Sequence, residues 1–384
     1  MRKIFIVILF LCCYVIVNAQ QHDTALIKVL IKDIAEEQVS TNGYFYPGTF
    51  PSYRKNAGLP HNYQPDNNIF FTAISVFALR NMLPQLNGEN KTTVEKILLN
   101  AQKAFPIYQD KDSFPYYNFW PTGKGILPRT YFMKYFDKQV GMGEDADDAV
   151  MCLMATNAND SICNVLKHRM IATANLSNRK IISTYKKYRD IPAYCTYLGF
   201  GMKPDFDFGV QCNILYFMMD KKLPLVKQDS ATIHLLAALM RNREYMRKPV
   251  FISPYYANPS VLLYHIARLM GRFIIPELEQ YKPQLITDIQ QVLNSTNRLM
   301  DKIILSTSLL RLGAMPPSLT ITNISNFEKS NQDKFVFFQA RAAFSYPLPL
   351  KQVLLHFSYF CYYFYAPAYN KILLLEYLLE RNKY

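Results

Sequence analysis

The chain has 384 residues, half of them apolar, with 13 glycines and a formal charge of +14 at neutral pH. That length and composition can bury a large core without a second domain. Seven cysteines with no CxxC pair, and no two histidines at metal-ligand spacing, exclude a disulfide scaffold and leave a structural zinc site without support. The basic balance suits an anionic membrane surface in peripheral contact, or an anionic ligand; no nucleic-acid partner and no cofactor are expected.

Met1-Arg2-Lys3, the unbroken apolar stretch from Ile4 to Val17, and Asn18-Ala19 have the order of a signal peptide over residues 1–19, with Gln20 as the mature start. The apolar stretch is short for a membrane span, so cleavage and export to the periplasm or the medium are expected, with an uncleaved anchor as the alternative. Losing Arg2 and Lys3 lowers the formal charge of +14 by two and leaves about 365 residues as one domain, 20–384.

Strand signals are scarce, since no series of short alternating runs is broken by Asn-Gly or Asp-Gly turns. Stretches apolar on more than one face begin near Asp66, Asp147, Asp207, Ser260, Ile303 and Leu350. Between them lie amphipathic stretches near 24–38, 93–105, 161–173, 229–242, 284–297 and 371–381, whose charged residues suggest an outward face. Six such helical hairpins can close into a ring, which predicts an all-α, (α/α)6 toroid with inner and outer helices. A linear helical solenoid is the alternative. In the toroid the inner helices run the same way, so Asp66, the cluster at 144–148 and Asp207 converge on one mouth.

Two sequence features bear on that mouth. Tyr116-Tyr117-Asn118-Phe119-Trp120-Pro121-Thr122 reads as an aromatic loop over the same end, as a lid or a fixed seal, and Tyr117, Trp120, Asp66 and Asp207 become substrate-binding candidates. Glu144, Asp145, Asp147 and Asp148 place four carboxylates in five positions. Carboxylates this close cannot all ionise cheaply, so one can keep its proton and act as a Brønsted acid. Equally, Asp145 or Asp148 can cap a helix while the others complement its dipole.

Asp145-Ala146-Asp147-Asp148 resembles the DxDD motif of class II terpene cyclases, the squalene-hopene cyclase group, whose toroid fold agrees with the six-hairpin pattern. The resemblance implies Asp147 as general acid toward an apolar isoprenoid, with Asp145 and Asp148 as its catalytic partners. Ala149 stands where a threonine commonly follows the motif, repeated glutamine-tryptophan motifs are absent, and no DDxxD stretch supports metal-dependent ionisation of a diphosphate. The 28 tyrosines and 26 phenylalanines against the single Trp120 could line an apolar cavity with π faces that stabilise cations.

Three other functions fit parts of the pattern. A secreted (α/α)6-barrel carbohydrate-active enzyme would set Asp66 or Asp207 opposite Asp147 as acid and base. A non-catalytic toroid could capture a cationic ligand at the acidic mouth. A zinc-dependent prenyltransferase would need Asp207 with Cys212 and a distant His265 or His356, both of which fit core histidines better. The leader yields the first prediction: N-terminal sequencing of exported protein begins close to Gln20, and exported material still starting at Met1 would overturn it.

Overall fold

The computed structural model describes residues 23–60, 62–110, 116–122, 145–199, 203–319, 321, 327, 335–341 and 346–384; the leader and Glu144 lie outside them. The protein is mostly helical, with one small antiparallel sheet. In chain order come α1 (23–37), β1 (Ser52–Asn56), β2 (Gln64–Asp66), α2 (Phe70–Met82), α3 (Gly88–Ala101), α4 (Ala146–Thr156), α5 (Asp160–Thr173), α6 (Phe208–Asp220) and α7 (Lys227–Arg241). The short α8 (Glu244–Arg247) and α9 (Pro249–Ile252) precede α10 (Pro259–Arg272), α11 (Pro276–Glu279), α12 (Lys282–Ser295) and α13 (Leu299–Arg311). Last come β3 (Gln339–Arg341), α14 (Leu350–Leu354), β4 (Cys361–Tyr365) and α15 (Pro367–Arg381).

Helix boundaries follow from local chemistry. The side chains of Asp145, Asn159, Asp207 and Asn258 accept hydrogen bonds from backbone N–H groups in the first turns of α4, α5, α6 and α10. Proline at the first position starts α10 and α15, where its missing N–H costs nothing. Asn157 ends α4 in the left-handed region, at φ 51°.

Burial separates two kinds of long helix. Helix α6 is buried without interruption from Phe208 to Met218, and α2, α4, α10, α13 and α15 are nearly as enclosed. By contrast α3 and α5 bury one stripe each, Val94, Ile97, Leu98 and Ala101 in the first and Cys163, Leu166, Met170 and Thr173 among others in the second. The enclosed helices pack in a circuit, α2 on α4, α4 on α6, α6 on α10, α10 on α13, α13 on α15, and α15 back on α2. Helices α3, α5 and α7 lie against their preceding neighbours, and α12 lies against both α10 and α13. Helix α1 is tied to α15 by the ion pairs Asp23–Arg381 and Glu37–Lys371.

Two sequence expectations need correction. The sixth enclosed helix is α15 rather than one beginning near Leu350, and the charges of 371–381 do not mark an outward face. Glu376 is buried, accepting from Arg311 and, at 2.7 Å, from the Tyr264 hydroxyl. The fold is also not purely helical: β2, β1, β4 and β3 form a sheet in that order, with Ser52 opposite Asp66, Tyr53 opposite Tyr365 and Ala340 opposite Tyr362. Strands β2 and β4 run almost directly into α2 and α15. Phe364 of β4 packs on Phe119 and Phe338, and Phe338 packs on Phe70 at the start of α2, so the sheet covers the end at which the enclosed helices begin.

Arg311 already carries a buried Nη1 without a hydrogen-bond partner, so Glu376 is its essential counter-charge. Glu376→Leu should therefore lower unfolding stability by about 3–5 kcal/mol in urea denaturation, because it strands a buried guanidinium. A change within about 1 kcal/mol would show that the pair does not hold α13 to α15.

Candidate functional site

The starts of the enclosed helices meet around the ring of Tyr256, in the segment leading into α10. Its hydroxyl donates to Asp147 Oδ2 in the first turn of α4. Phe70, the first residue of α2, lies 6.5 Å from it, centroid to centroid. At the start of α6, a Cβ on Gly209 would lie 2.3 Å from the Tyr256 ring, so only glycine fits there. Phe337 bridges Tyr256, at 5.8 Å, to Tyr369 at the start of α15, at 4.8 Å. Asn258 links α10 to α13 by donating to Asp301 Oδ1 at 3.3 Å.

The three described carboxyls of the acidic cluster have different roles. Asp145 is the cap: its Oδ1 accepts from the Asp147 N–H at 2.7 Å, and its backbone forms an antiparallel bridge with Tyr197. Asp147 is 4% exposed and faces the interior of the circuit, where Asn213 Nδ2 donates to its Oδ1 at 2.6 Å. Arg268 Nη2 in turn donates to Asn213 Oδ1, which sets the amide so that its N–H faces Asp147. The Arg268 guanidinium lies 5.3–5.8 Å from the ring centroids of Phe77, Tyr264 and Tyr216. Asp148 is buried beside Cys152, whose thiol it helps to push upward after burial itself.

Burial dominates the protonation of all three. It drives Asp145 and Asp148 well above the ordinary carboxylate range, and their negative neighbours push the same way. Burial also raises Asp147, opposed by the donors Asn213 and Tyr256 and by the charge of Arg268. Asp147 is thus a carboxyl able to carry a proton whose conjugate base has donors already aimed at it.

The other candidates are engaged elsewhere at the same end. Asp207 Oδ1 accepts from Gly209 N at 2.8 Å, Val210 N at 3.2 Å and Ser253 Oγ at 2.6 Å, while Oδ2 accepts from Tyr255 N at 3.0 Å. Burial still pushes it up to about 7. Asp66, fully buried, pairs with Arg54 at 3.2 Å and accepts from Asn68 at 2.9 Å and Trp120 Nε1 at 3.1 Å. Trp120 therefore anchors Asp66, and Tyr117 sits edge-on to Phe105 at 6.2 Å. Backbone bonds from Asn118 to Tyr108 at 2.8 Å and from Thr122 to Ile107 at 3.1 Å fasten the 116–122 segment to the turn that follows α3.

Tyr256, Asn213 and Arg268 were not visible from sequence, because each reaches Asp147 or its amide partner from a different helix or approach segment. The only sequence signals were an arginine and an asparagine inside apolar runs. His265 is buried, its Nδ1 2.8 Å from Val261 O and its ring stacked on Phe337, and burial drives it well below the usual histidine range. Cys152, Cys163, Cys195, Cys212 and Cys361 are free and buried. Among the described residues no group of three or more His, Cys, Asp or Glu side chains could hold a metal ion.

Two clefts lined by described residues do not touch Asp145, Asp147 or Asp148. One of them, about 350 Å3, is bounded by Asn258, Arg298, Phe337 and Tyr363. Compared with known proteins, the chain matches no family model, no curated sequence and no solved structure.

Carboxyls that hold protons more tightly in the fold than in the unfolded chain stabilise the fold at low pH. Their contribution is complete below about pH 4, where the unfolded chain is also protonated, and is lost as pH rises toward the folded pKa. These carboxyls should accordingly lower stability as pH is raised from about 4 to about 7, by up to about 1.4 kcal/mol per unit for each, while His265, held neutral by burial, acts in the opposite direction below about pH 6.5. Asp148→Asn should make that slope shallower in denaturant melts across the window, and an unchanged slope would remove Asp148 from the set of proton-holding groups.

Proposed function

We propose that the chain is an α/α toroid protein and that Asp147 is the general acid of an exported, class II terpene cyclase-like enzyme acting on an apolar isoprenoid. The toroid reading rests on the closed packing circuit of six enclosed helices with outer helices against them. The reaction reading rests on one observation above all, a buried Asp147 carboxyl raised by burial yet facing Asn213 and Tyr256, within the DxDD-like segment Asp145–Asp148.

The chemistry asked of these residues is simple. An alkene π pair takes the proton from Asp147, forming a C–H bond and leaving a carbocation, and the electrons of the O–H bond stay on the carboxylate. Asn213 and Tyr256 then donate to that carboxylate, and Arg268 polarises Asn213 from behind. The faces of Phe70, Phe337 and Phe338 surround Tyr256 and would favour positive charge nearby. Loss of a proton from the cyclised cation restores neutrality. A glycosidase mechanism is less well served, because the second carboxyl it needs is committed elsewhere, Asp66 to an ion pair with Arg54 and Asp207 to capping α6.

The test is Asp147→Asn, assayed with a panel of isoprenoids and of oligosaccharides by mass spectrometry, with unfolding followed on the same sample. The amide keeps the shape and can still bond Asn213 and Tyr256, so stability should change by no more than about 1–2 kcal/mol while product formation disappears. A variant that still forms isoprenoid product would sink the acid role. Absence of product from the unmodified protein with every isoprenoid would sink the substrate class.

A further inference from the structure

Among the described residues, the densest run of exposed apolar side chains lies far along the chain, on the segment that carries α14 into β4. Val353 is 54%, Phe357 52%, Tyr359 62% and Phe360 45% exposed, with Tyr346 and Leu350 also open to solvent. On α14, Leu350 and Val353 are three residues apart and share a face. Scattered exposed hydrophobics are ordinary, but six within fifteen residues are a local concentration.

The segment is fastened from beneath. Lys351 is buried against Asp205, at 3.4 Å, and lies over Phe251, while Leu355 is buried and its carbonyl accepts from Arg341 at 2.7 Å. Asn56 Nδ2 donates to Tyr359 O at 2.9 Å, and Gly58 approaches the same backbone so closely that a Cβ would sit 2.7 Å from Tyr359 N. With its buried members already spent on the core, the segment holds the others outward as a preformed surface.

Its rim is basic. Lys203 lies over the Tyr346 ring at 5.7 Å, and Gln352 contacts Tyr185, which brings the exposed Lys186 and Lys187 alongside α14. Self-association through this face would bring together two chains of strongly positive charge. An anionic lipid surface meets both halves of the patch, taking aromatic and aliphatic tips into the headgroup boundary and lysines onto its negative charge.

We propose that the face formed by Leu350, Val353, Phe357, Tyr359 and Phe360, with Lys186 and Lys203 at its rim, docks the protein on an anionic membrane surface. This contact is independent of any reaction at Asp147. No described helix is long and apolar enough to cross a membrane, and docking at the interface requires none.

The chain from Gln20 onward, without the apolar leader, should co-sediment with vesicles of phosphatidylglycerol and phosphatidylcholine, much less with phosphatidylcholine alone, and less at high salt. The combined Phe357→Ser, Tyr359→Ser and Phe360→Ser protein should partition at least about tenfold more weakly, and Lys186→Gln with Lys203→Gln about tenfold more weakly on anionic vesicles only. A gain-of-signal variant covers the case in which the triple change unfolds the chain: Tyr359→Trp should add a fluorescence component quenched by lipids brominated on their acyl chains, above the response of the parent with Trp120 alone. Equal binding of the triple variant, no added quenching in Tyr359→Trp, or a dimer in place of vesicle binding would each overturn the proposal.

Discussion

Gathering the starts of six helices at one end of a packed circuit concentrates unpaired backbone N–H groups and the positive ends of helix dipoles in one buried place. Everything at that end answers to this demand. Asp145, Asp207 and Asn258 satisfy it directly as caps. Ser253 and the backbone of Tyr255 then fill the remaining capacity of Asp207. The same place is buried, so the carboxyls that meet the N–H groups are shielded from solvent and their protons become hard to remove. Attraction to helix ends and desolvation act on the same atoms in opposite directions, and Asp147, which serves no cap, is bonded instead to Asn213 and Tyr256 across the interior.

The interior is consequently polar at selected points rather than uniformly apolar. Asn213 on α6 and Arg268 on α10 tie Asp147 of α4 to the next two helices, and Tyr264, Arg311 and Glu376 tie α10, α13 and α15. Around these groups the aromatic side chains do two jobs, filling volume and covering guanidinium faces, as Phe77, Tyr216 and Tyr264 do for Arg268. A network with each member bonded fixes the rotation of each helix about its own axis more sharply than interchangeable apolar contacts would.

Five of the six enclosed helices were legible because a continuous apolar run needs no knowledge of neighbours. Helix α15 was not, since its Lys371 and Glu376 look solvent-facing until Glu37 and Arg311 arrive from remote parts of the chain. The sheet was hidden for another reason: Ser52–Asn56 is polar and short, and the aromatic run Cys361–Tyr365 has no period to separate strand from helix. At the candidate site the acidic cluster announced itself, whereas Tyr256 is one of 28 tyrosines and only its distance from Asp147 distinguishes it. Pairings that form across the fold leave no local trace, and those pairings decide which acid caps a helix and which faces the side chains of its neighbours.

The circuit closes where α15 meets α2, with α1 strapped across α15 by Asp23 and Glu37. During synthesis α2 therefore waits for a helix made almost three hundred residues later, and one flank of the growing assembly stays bare until then. Contacts of such long sequence separation fold slowly and expose apolar surface meanwhile. The ring's last seam thus joins residues near opposite ends of the sequence, and it can form only when Pro367–Arg381 has been made.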